Sequence, residues 1–187
     1  MPGICDPGED IARVLKTQGI EIICIPGACA AITALVSSGL PSSSFIFEGF
    51  LPKKKIDREK ILLEISKNEK TTIIYESPKR LRKLLNQLLE FCGGDREIVV
   101  ARELTKKFEE HIGNNISEVI QFFGDKEIVG EITVVVKGIK KENQTLDFLT
   151  IKKDLNHLTN AGLSLSEASK YLAKKHGVKK SEIYKMI

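Results

Sequence analysis

Apolar residues along the chain alternate between helical spacing and short continuous runs, with turn-forming residues between them. In chain order the pattern predicts helices over 9–18, 28–39, 53–69, 78–91 and 116–123, and strands over 21–25, 45–50, 71–76, 97–101 and 131–137. Helices of this length between strands cover the faces of a sheet. The chain is therefore predicted to be an α/β protein with strands running in mixed directions.

Turn residues and polar stretches divide this pattern into segments. Pro52 interrupts the apolar run after 45–50, and the polar stretch GIKKENQT follows the last predicted strand. We expect one α/β segment over 1–51, a second α/β domain over 52–138, a linker over 139–145 and a helical module over 146–187.

The helical module carries most of the positive charge. The formal net charge is +4, yet residues 137–187 contain 11 Lys against five acidic residues. Ser164 stands three residues before Glu167, a capping-box spacing, and the last two predicted helices resemble a small helix-turn-helix. Such lysines either bind the phosphates of a nucleic acid or simply form a solvated helical face, and charge alone favours neither.

Composition excludes several classes of protein. No apolar run approaches the length that spans a membrane, and the first residues form loops instead of a signal peptide, so a cytoplasmic location is expected. The four cysteines form no CxxC pair and have no histidines at ligand spacing. No metal site is predicted.

Four segments combine tight turns with polar groups near strand ends, where open α/β sheets place ligands. They are PGICDPG at the start, PGACAA at 26–31, YESPKR at 75–80 and ARELTKKFEEH at 101–111. PGACAA precedes a helix, and its small side chains would let a ligand approach the unpaired backbone N–H groups. Each segment also has a structural interpretation, because Pro-Gly turns, helix caps and solvated charge runs are common.

Taken in order, six motifs resemble the ribosomal RNA methyltransferases of the tetrapyrrole methylase superfamily. They are PGICDPG, PGACAAITALVSSGLP, FEGFLP, YESPKRL, VVARELTKKFEE and GEITVVVKG. The resemblance covers nearly the whole chain. It implies two α/β domains with S-adenosyl-L-methionine in the cleft between them, a homodimer, and methylation of the 2′-hydroxyl of a cytidine in 16S ribosomal RNA near the decoding centre, on the RNA or the 30S subunit.

The resemblance also assigns roles to particular residues. Candidate proton acceptors are Glu76 and Glu103. Candidate cofactor-binding residues are Pro2, Gly3, Asp6, Pro26, Gly27, Cys29, Ala30, Tyr75, Thr105, Gly130 and Glu131. Candidate RNA-binding residues are Lys79, Arg80, Arg102, Lys106, Lys174, Lys175, Lys179 and Lys180.

Family members begin with a strand and a TPIGNL-like loop before an Asp-Ala-Gly-x-Pro-Gly turn, and Met1 matches the x of that turn. We therefore expect a two-domain tetrapyrrole methylase-like fold with most of the first domain missing, followed by the helical module. Two other functions stay open. One is methylation of a tetrapyrrole of the precorrin type, and the other is a fragment that binds RNA without catalysis.

Overall fold

The computed structural model describes residues 1–140, 148–176 and 180–184, which belong to two compact units, Met1–Lys140 and Lys141–Ile187. The first unit contains α1 (Glu9–Thr17), α2 (Ala30–Ser38), β1 (Phe45–Phe50), α3 (Lys55–Lys67), β2 (Thr71–Glu76), α4 (Pro78–Cys92), β3 (Glu97–Arg102), β4 (Glu110–Asn115), α5 (Ile116–Phe123) and β5 (Ile132–Val136). The second contains α6 (Phe148–Asn160), α7 (Leu165–His176) and α8 (Lys180–Tyr184).

One five-stranded sheet organises the first unit, in the order β1-β2-β5-β3-β4. β1 pairs with β2 in parallel, and every other neighbouring pair is antiparallel. The predicted mixture of strand directions is confirmed. β1 precedes Pro52 and pairs with β2, which follows it, so residues on both sides of the predicted domain boundary belong to one sheet; the boundary itself stays a prediction.

Helices cover both faces of this sheet because the side chains of its strands alternate between the faces. Val134 and Val136 of β5 pack with the buried leucines of α3 and α4, whereas Val135 packs with α2. β5 is buried at all five positions, as its uninterrupted apolar sequence ITVVV predicts for a strand covered on both sides. The sheet therefore presents its strand ends, including the end of β2, between two helical layers.

The first unit differs from the sequence predictions at two strands. Residues 21–25 form no strand, because nothing pairs with them within the described residues, and Ile23 and Ile25 are 78% and 82% exposed. β4 was missed, since its sequence EHIGNN lacks an apolar alternation. It lies at the edge of the sheet, where one face and one side remain in solvent and polar residues are tolerated.

The second unit forms its own small core from α6, α7 and α8, with Ile151, Leu155, Leu172 and Ile183 at most 2% exposed. The predicted capping box is confirmed, because the Glu167 amide donates to Ser164 Oγ at 3.3 Å and the Ser164 amide donates to Glu167 Oε2 at 3.2 Å. Most of the predicted linker, and Lys179, lie outside the described residues. Across the described ranges, no helix is long and apolar enough to cross a membrane.

Candidate functional site

Two neighbouring pockets open beside the opening loop, α2 and the end of β2. The α2 pocket, of about 580 Å³, is lined by Met1, Ile4, Pro26, Gly27, Ala28, Cys29, Ala31, Ile32, Thr33, Phe45 and Phe47. The β2 pocket, of about 420 Å³, is lined by Met1, Ile4, Cys5, Asp6, Ala30, Phe50, Tyr75, Glu76, Ser77, Pro78, Gly130, Glu131, Ile132 and Thr133. Both volumes are typical of sites for small molecules, which run from about 300 to 1,000 Å³.

Tyr75 connects the end of β2 to the beginning of α2. The backbone N–H of Ala31 donates to the Tyr75 hydroxyl at 3.0 Å, which satisfies one of the unpaired amides in the first turn of the helix. The ring of Tyr75 contacts Phe47 edge to face, with centroids 5.0 Å apart. Burial raises the pKa of Tyr75 to about 12. This phenol is therefore neutral at physiological pH and can act as a hydrogen-bonding group but not as an anion.

Glu76, the first candidate proton acceptor, lies in a buried ion-pair network. Its side chain is 0% exposed, and Arg58 Nη2 is 3.3 Å from Oε2 while Arg80 Nε is 2.7 Å from Oε1. Arg58 also donates to Gln87 Oε1 at 2.6 Å, and the Ser77 amide donates to Glu76 Oε1 at 2.9 Å. Both carboxylate oxygens are thus engaged, and the network joins α3, β2 and α4 directly behind the β2 pocket.

Glu103, the second candidate, holds the loop that forms another wall of the β2 pocket. Its Oε1 accepts hydrogen bonds from the Glu131 amide at 2.8 Å and from Lys106 Nζ at 3.0 Å. The Glu131 amide, followed by Lys106, lowers the pKa of Glu103. Gly130 has φ +92°, and a Cβ there would lie 2.6 Å from Glu103 Cγ, so this close approach requires glycine.

The predicted basic residues of the first unit are mostly paired with acids. Arg102 donates from Nε and Nη2 to Glu110 Oε2, at 2.9 and 2.6 Å. Lys106 pairs with both Glu103 and Glu131, and Arg80 pairs with Glu76. Lys79 lies one residue before Arg80 on α4 and is exposed. These contacts position loops and helices, and RNA binding by the four residues stays a prediction.

The basic residues of the second unit lie on its surface. Lys174 is exposed on α7, and the neighbouring Lys175 donates to Asp154 Oδ2 at 2.9 Å. On α8, Lys180 donates to Ser166 Oγ at 2.8 Å.

The structure brings most of the predicted cofactor-binding residues together. Those that line the α2 pocket are Pro26, Gly27 and Cys29. Those that line the β2 pocket are Asp6, Ala30, Tyr75, Gly130 and Glu131, with Glu76 beside them. Among the described residues, Pro2, Gly3 and Thr105 line neither pocket. Thr105, with φ +65°, instead donates its amide to Glu109 Oε2 at 2.7 Å and shapes the loop after β3.

Sequence reasoning missed several residues that line the pockets, including Ile4, Phe47, Ser77 and Thr133. Ile4 and Ser77 lie inside motifs that were singled out, so proximity to Asp6 and Glu76 could have found them. Phe47 and Thr133 lie inside the motifs FEGFLP and GEITVVVKG, but as strand residues among apolar neighbours they could not be told from core residues.

Comparison with known proteins places this chain in a family. The family model for tetrapyrrole (corrin/porphyrin) methylases matches residues 1–120. Among solved structures, the methyltransferase CobJ superposes with a TM-score of 0.56 at 21% identity, covering 73% of this chain and 61% of that one. Cobalt precorrin-4 methyltransferase superposes with a TM-score of 0.52 at 15% identity, covering 69% of this chain and 57% of that one. At these identities the likeness shows the fold alone.

Curated relatives are more similar in sequence. A protein of Bacillus subtilis (strain 168) is 40% identical over 98% of this chain, and one of Vibrio cholerae serotype O1 is 42% identical over 98%. Both are named ribosomal RNA small subunit methyltransferase I, and this chain spans 64% of the length of each. Because the family model matches residues 1–120, the chain belongs to the tetrapyrrole methylase family. Within that family it groups with the relatives named ribosomal RNA small subunit methyltransferase I.

Proposed function

We propose that this chain serves S-adenosyl-L-methionine-dependent methylation of ribosomal RNA, with the 2′-hydroxyl of a cytidine in 16S RNA near the decoding centre as the acceptor. The observation that carries the proposal is the identity of 40% to 42% with relatives named ribosomal RNA small subunit methyltransferase I, over 98% of the chain. The two pockets at the strand ends supply a place for a small donor, and the lysines of the second unit supply charge for RNA.

The residues of the pockets fit such a donor. Ile32, Phe45 and Phe47 give the α2 pocket apolar walls suited to a flat base. Asp6, Glu131 and Thr133 give the β2 pocket oxygen atoms that can accept hydrogen bonds from hydroxyl or ammonium groups. S-adenosyl-L-methionine, when bound, supplies a methyl group on a positively charged sulfur.

We infer different roles for the two candidate carboxylates. Glu76 is held by Arg58 and Arg80 on both oxygens, and we assign it to positioning the turn between β2 and α4, which carries Ser77 into the β2 pocket. Glu103 is the better candidate for accepting the hydroxyl proton of the ribose, because its carboxylate lies outside the core, in contact with the pocket loop. Its lowered pKa makes this carboxylate a weaker base than an ordinary glutamate, so in this role it would receive the proton only as the oxygen attacks.

A direct assay tests the proposal. The protein is incubated with methyl-labelled S-adenosyl-L-methionine and 30S subunits from a strain that lacks the modification, and the RNA is digested to nucleosides. We expect the label in 2′-O-methylcytidine from 16S RNA. Label on a base, or on another nucleoside, would overturn the assignment of the acceptor.

Parallel measurements separate the other functions. A corrinoid precursor in place of the subunits tests tetrapyrrole methylation, for which the solved neighbours provide only a shared fold. Calorimetric titration with the donor tests the pockets without requiring turnover. RNA binding without donor binding would support the fragment that binds RNA but does not catalyse.

The role of Glu103 needs a variant that keeps its shape. Glu103→Gln preserves the acceptor oxygen for the Glu131 amide but cannot take a proton, so we expect folding and donor affinity close to those of the parent and a loss of turnover. Glu109→Gln, at the residue immediately before β4, is the matched control for charge. Equal turnover of both variants and the parent would remove Glu103 from the mechanism.

We further propose that the protein is a cytoplasmic homodimer, since its substrate would be a ribosomal subunit. Exposed apolar side chains before and on α2 support self-association: Ile23 is 78%, Ile25 82% and Val36 71% exposed. Sedimentation at two concentrations tests it, with Val36→Asp as a disrupting variant. A monomer at every concentration would contradict the dimer.

A further inference from the structure

The second unit exposes two of the chain's three tyrosines. Tyr171 on α7 is 57% exposed and Tyr184 on α8 is 40% exposed, while the third, Tyr75, belongs to the β2 pocket of the first unit. Among the described side chains, the core of the second unit consists of aliphatic residues. Neither exposed ring is thus needed to fill that core, and each presents aromatic surface to solvent.

Both rings lie beside positive charge. Lys180 Nζ is 5.5 Å from the centroid of the Tyr184 ring, a cation–π distance. Tyr171 is close enough to Lys175 to contribute to raising the pKa of that lysine, after the larger effect of Asp154. Lys170 and Lys174 are exposed on the same helix, on either side of Tyr171 in sequence.

Aromatic rings among lysines have a specific use in binding nucleic acids. Lysines neutralise phosphates of any RNA, whereas a planar ring can stack only on a base whose face is free. In an RNA duplex the faces of the bases are covered by their neighbours, so stacking selects unpaired nucleotides. A lysine-rich helical face without aromatics would bind duplex and single strand by charge alone.

We propose that Tyr171 and Tyr184 stack on unpaired bases, so that the helical unit binds single-stranded RNA in preference to duplex RNA. The proposal rests on the proposed function, in which this unit contacts ribosomal RNA, and it adds the structural class of RNA that is recognised. The lysines around the rings hold the phosphates of the same strand.

Affinity measurements separate stacking from charge. The whole protein is titrated into a labelled oligouridylate and into a blunt-ended RNA duplex of equal phosphate number, at several salt concentrations. Tyr171→Leu and Tyr184→Leu should each weaken binding to the oligouridylate about 5- to 150-fold, the range expected for one stacked base, and leave duplex binding unchanged. Tyr171→Phe and Tyr184→Phe retain the ring and should bind like the parent.

The salt dependence gives the second criterion. The leucine variants should keep the parent slope of log affinity against log salt, because no phosphate contact is lost. Lys174→Gln should instead reduce that slope by about 0.7, the value for one phosphate contact with a single strand, and weaken binding to the oligouridylate and to the duplex alike. Circular dichroism of each variant checks that the helices are intact.

Tyrosine fluorescence reports stacking directly, because the chain has no tryptophan. Binding of oligouridylate should quench the emission, Tyr75→Phe should retain that quenching, and the double variant Tyr171→Phe with Tyr184→Phe should lose it. Binding without quenching, with full affinity in the leucine variants, would overturn the stacking proposal while leaving RNA binding by lysines in place. Failure to bind either RNA would overturn both this proposal and the role of the unit in the proposed function.

Discussion

The ends of β2 and β3 both carry an arginine–carboxylate ion pair, but the two pairs differ in burial. At the end of β2, Glu76 is 0% exposed and pairs with Arg58 and Arg80 inside the protein. At the end of β3, Arg102 pairs with Glu110, whose side chain is 47% exposed. One arginine–carboxylate cluster is therefore part of the core and the other is part of the surface. A charged run in a sequence does not reveal which of the two it will become.

The largest expected effect comes from breaking the buried cluster. Glu76→Ala leaves Arg58, whose side chain is 5% exposed, without its counter-charge inside the protein. We expect a loss of about 3–5 kcal/mol in the free energy of unfolding, because an unpaired buried charge is not compensated by solvent. Chemical denaturation followed by circular dichroism measures this loss. Glu76→Gln keeps an acceptor oxygen and should lose less of the free energy of unfolding, and it replaces the alanine variant in the measurement if that variant does not fold.

Glu110→Ala is the matched control at the end of β3. It removes the carboxylate that accepts from Arg102 at 2.6 Å, but water can solvate the released guanidinium. The expected cost is about 0–1 kcal/mol, as for other exposed pairs. Equal costs for Glu76→Ala and Glu110→Ala would show that the distinction between the two strand ends is wrong.

An intermediate effect is expected from the loop that Glu103 holds. Gly130→Ala introduces a Cβ that would lie 2.6 Å from Glu103 Cγ, at a backbone φ of +92°. The left-handed conformation alone costs about 1–2 kcal/mol for a residue with a side chain. Thermal unfolding measures the loss, and calorimetry should show weaker donor binding, since Gly130 lines the β2 pocket.

Gly27→Ala provides the comparison for this variant, because nothing lies within 4 Å of a Cβ at that position. It should leave the unfolding midpoint unchanged or slightly raised. If Gly130→Ala were as stable as Gly27→Ala, the Glu103 side chain would be free to move aside and would not define the loop.

Much of the fold could be predicted because its strands are strongly apolar and its helices are bounded by Pro and Gly. β2 and α5 have the predicted bounds, and α4 ends one residue later than predicted. α1 shows where this reasoning ends: its amphipathic pattern predicts a helix correctly, yet no residue of α1 is buried. Periodicity identifies the face that could pack, as it does for Leu84 of α4, but not whether a partner covers that face.

The candidate site could be predicted in part for a related reason. The family resemblance proposed Asp6, Ala30, Tyr75 and Gly130 as cofactor-binding residues, and all four line the β2 pocket, near the beginning or end of an element. The engagement of Glu76 by Arg58 could not be predicted, since α3 and β2 are brought together only by packing. Pairing of this kind depends on tertiary structure and has no fixed spacing in the sequence.

Acid should loosen the end of β3 through Glu103. Its pKa lies below the ordinary value of 4.5, chiefly because the Glu131 amide donates to its carboxylate. A carboxylate with a lowered pKa stabilises the fold at pH values above its ordinary pKa. That stabilisation is lost as the pH falls through the pKa of the folded state. We expect the Glu131 amide to exchange hydrogen faster over that range, as followed by NMR, and Glu103→Gln to remove this dependence. If exchange of the Glu131 amide in the parent followed only the intrinsic pH trend, Glu103 would not be holding that amide.

A further effect, confined to alkaline pH, is expected from Tyr75. Burial raises its pKa to about 12, whereas tyrosine in an unfolded chain ionises near pH 10. The neutral phenol therefore stabilises the fold below about pH 10, and this contribution is lost as the pH rises towards 12. Phenolate absorbance should show one of the three tyrosines ionising last, and Tyr75→Phe should remove that phase. The same substitution leaves the Ala31 amide without its acceptor, at a cost of about 1 kcal/mol. If Tyr75→Phe instead removed a phase that ionises near pH 10, the Tyr75 phenol would be reached by solvent. It would then not be the buried acceptor of the Ala31 amide at the beginning of α2.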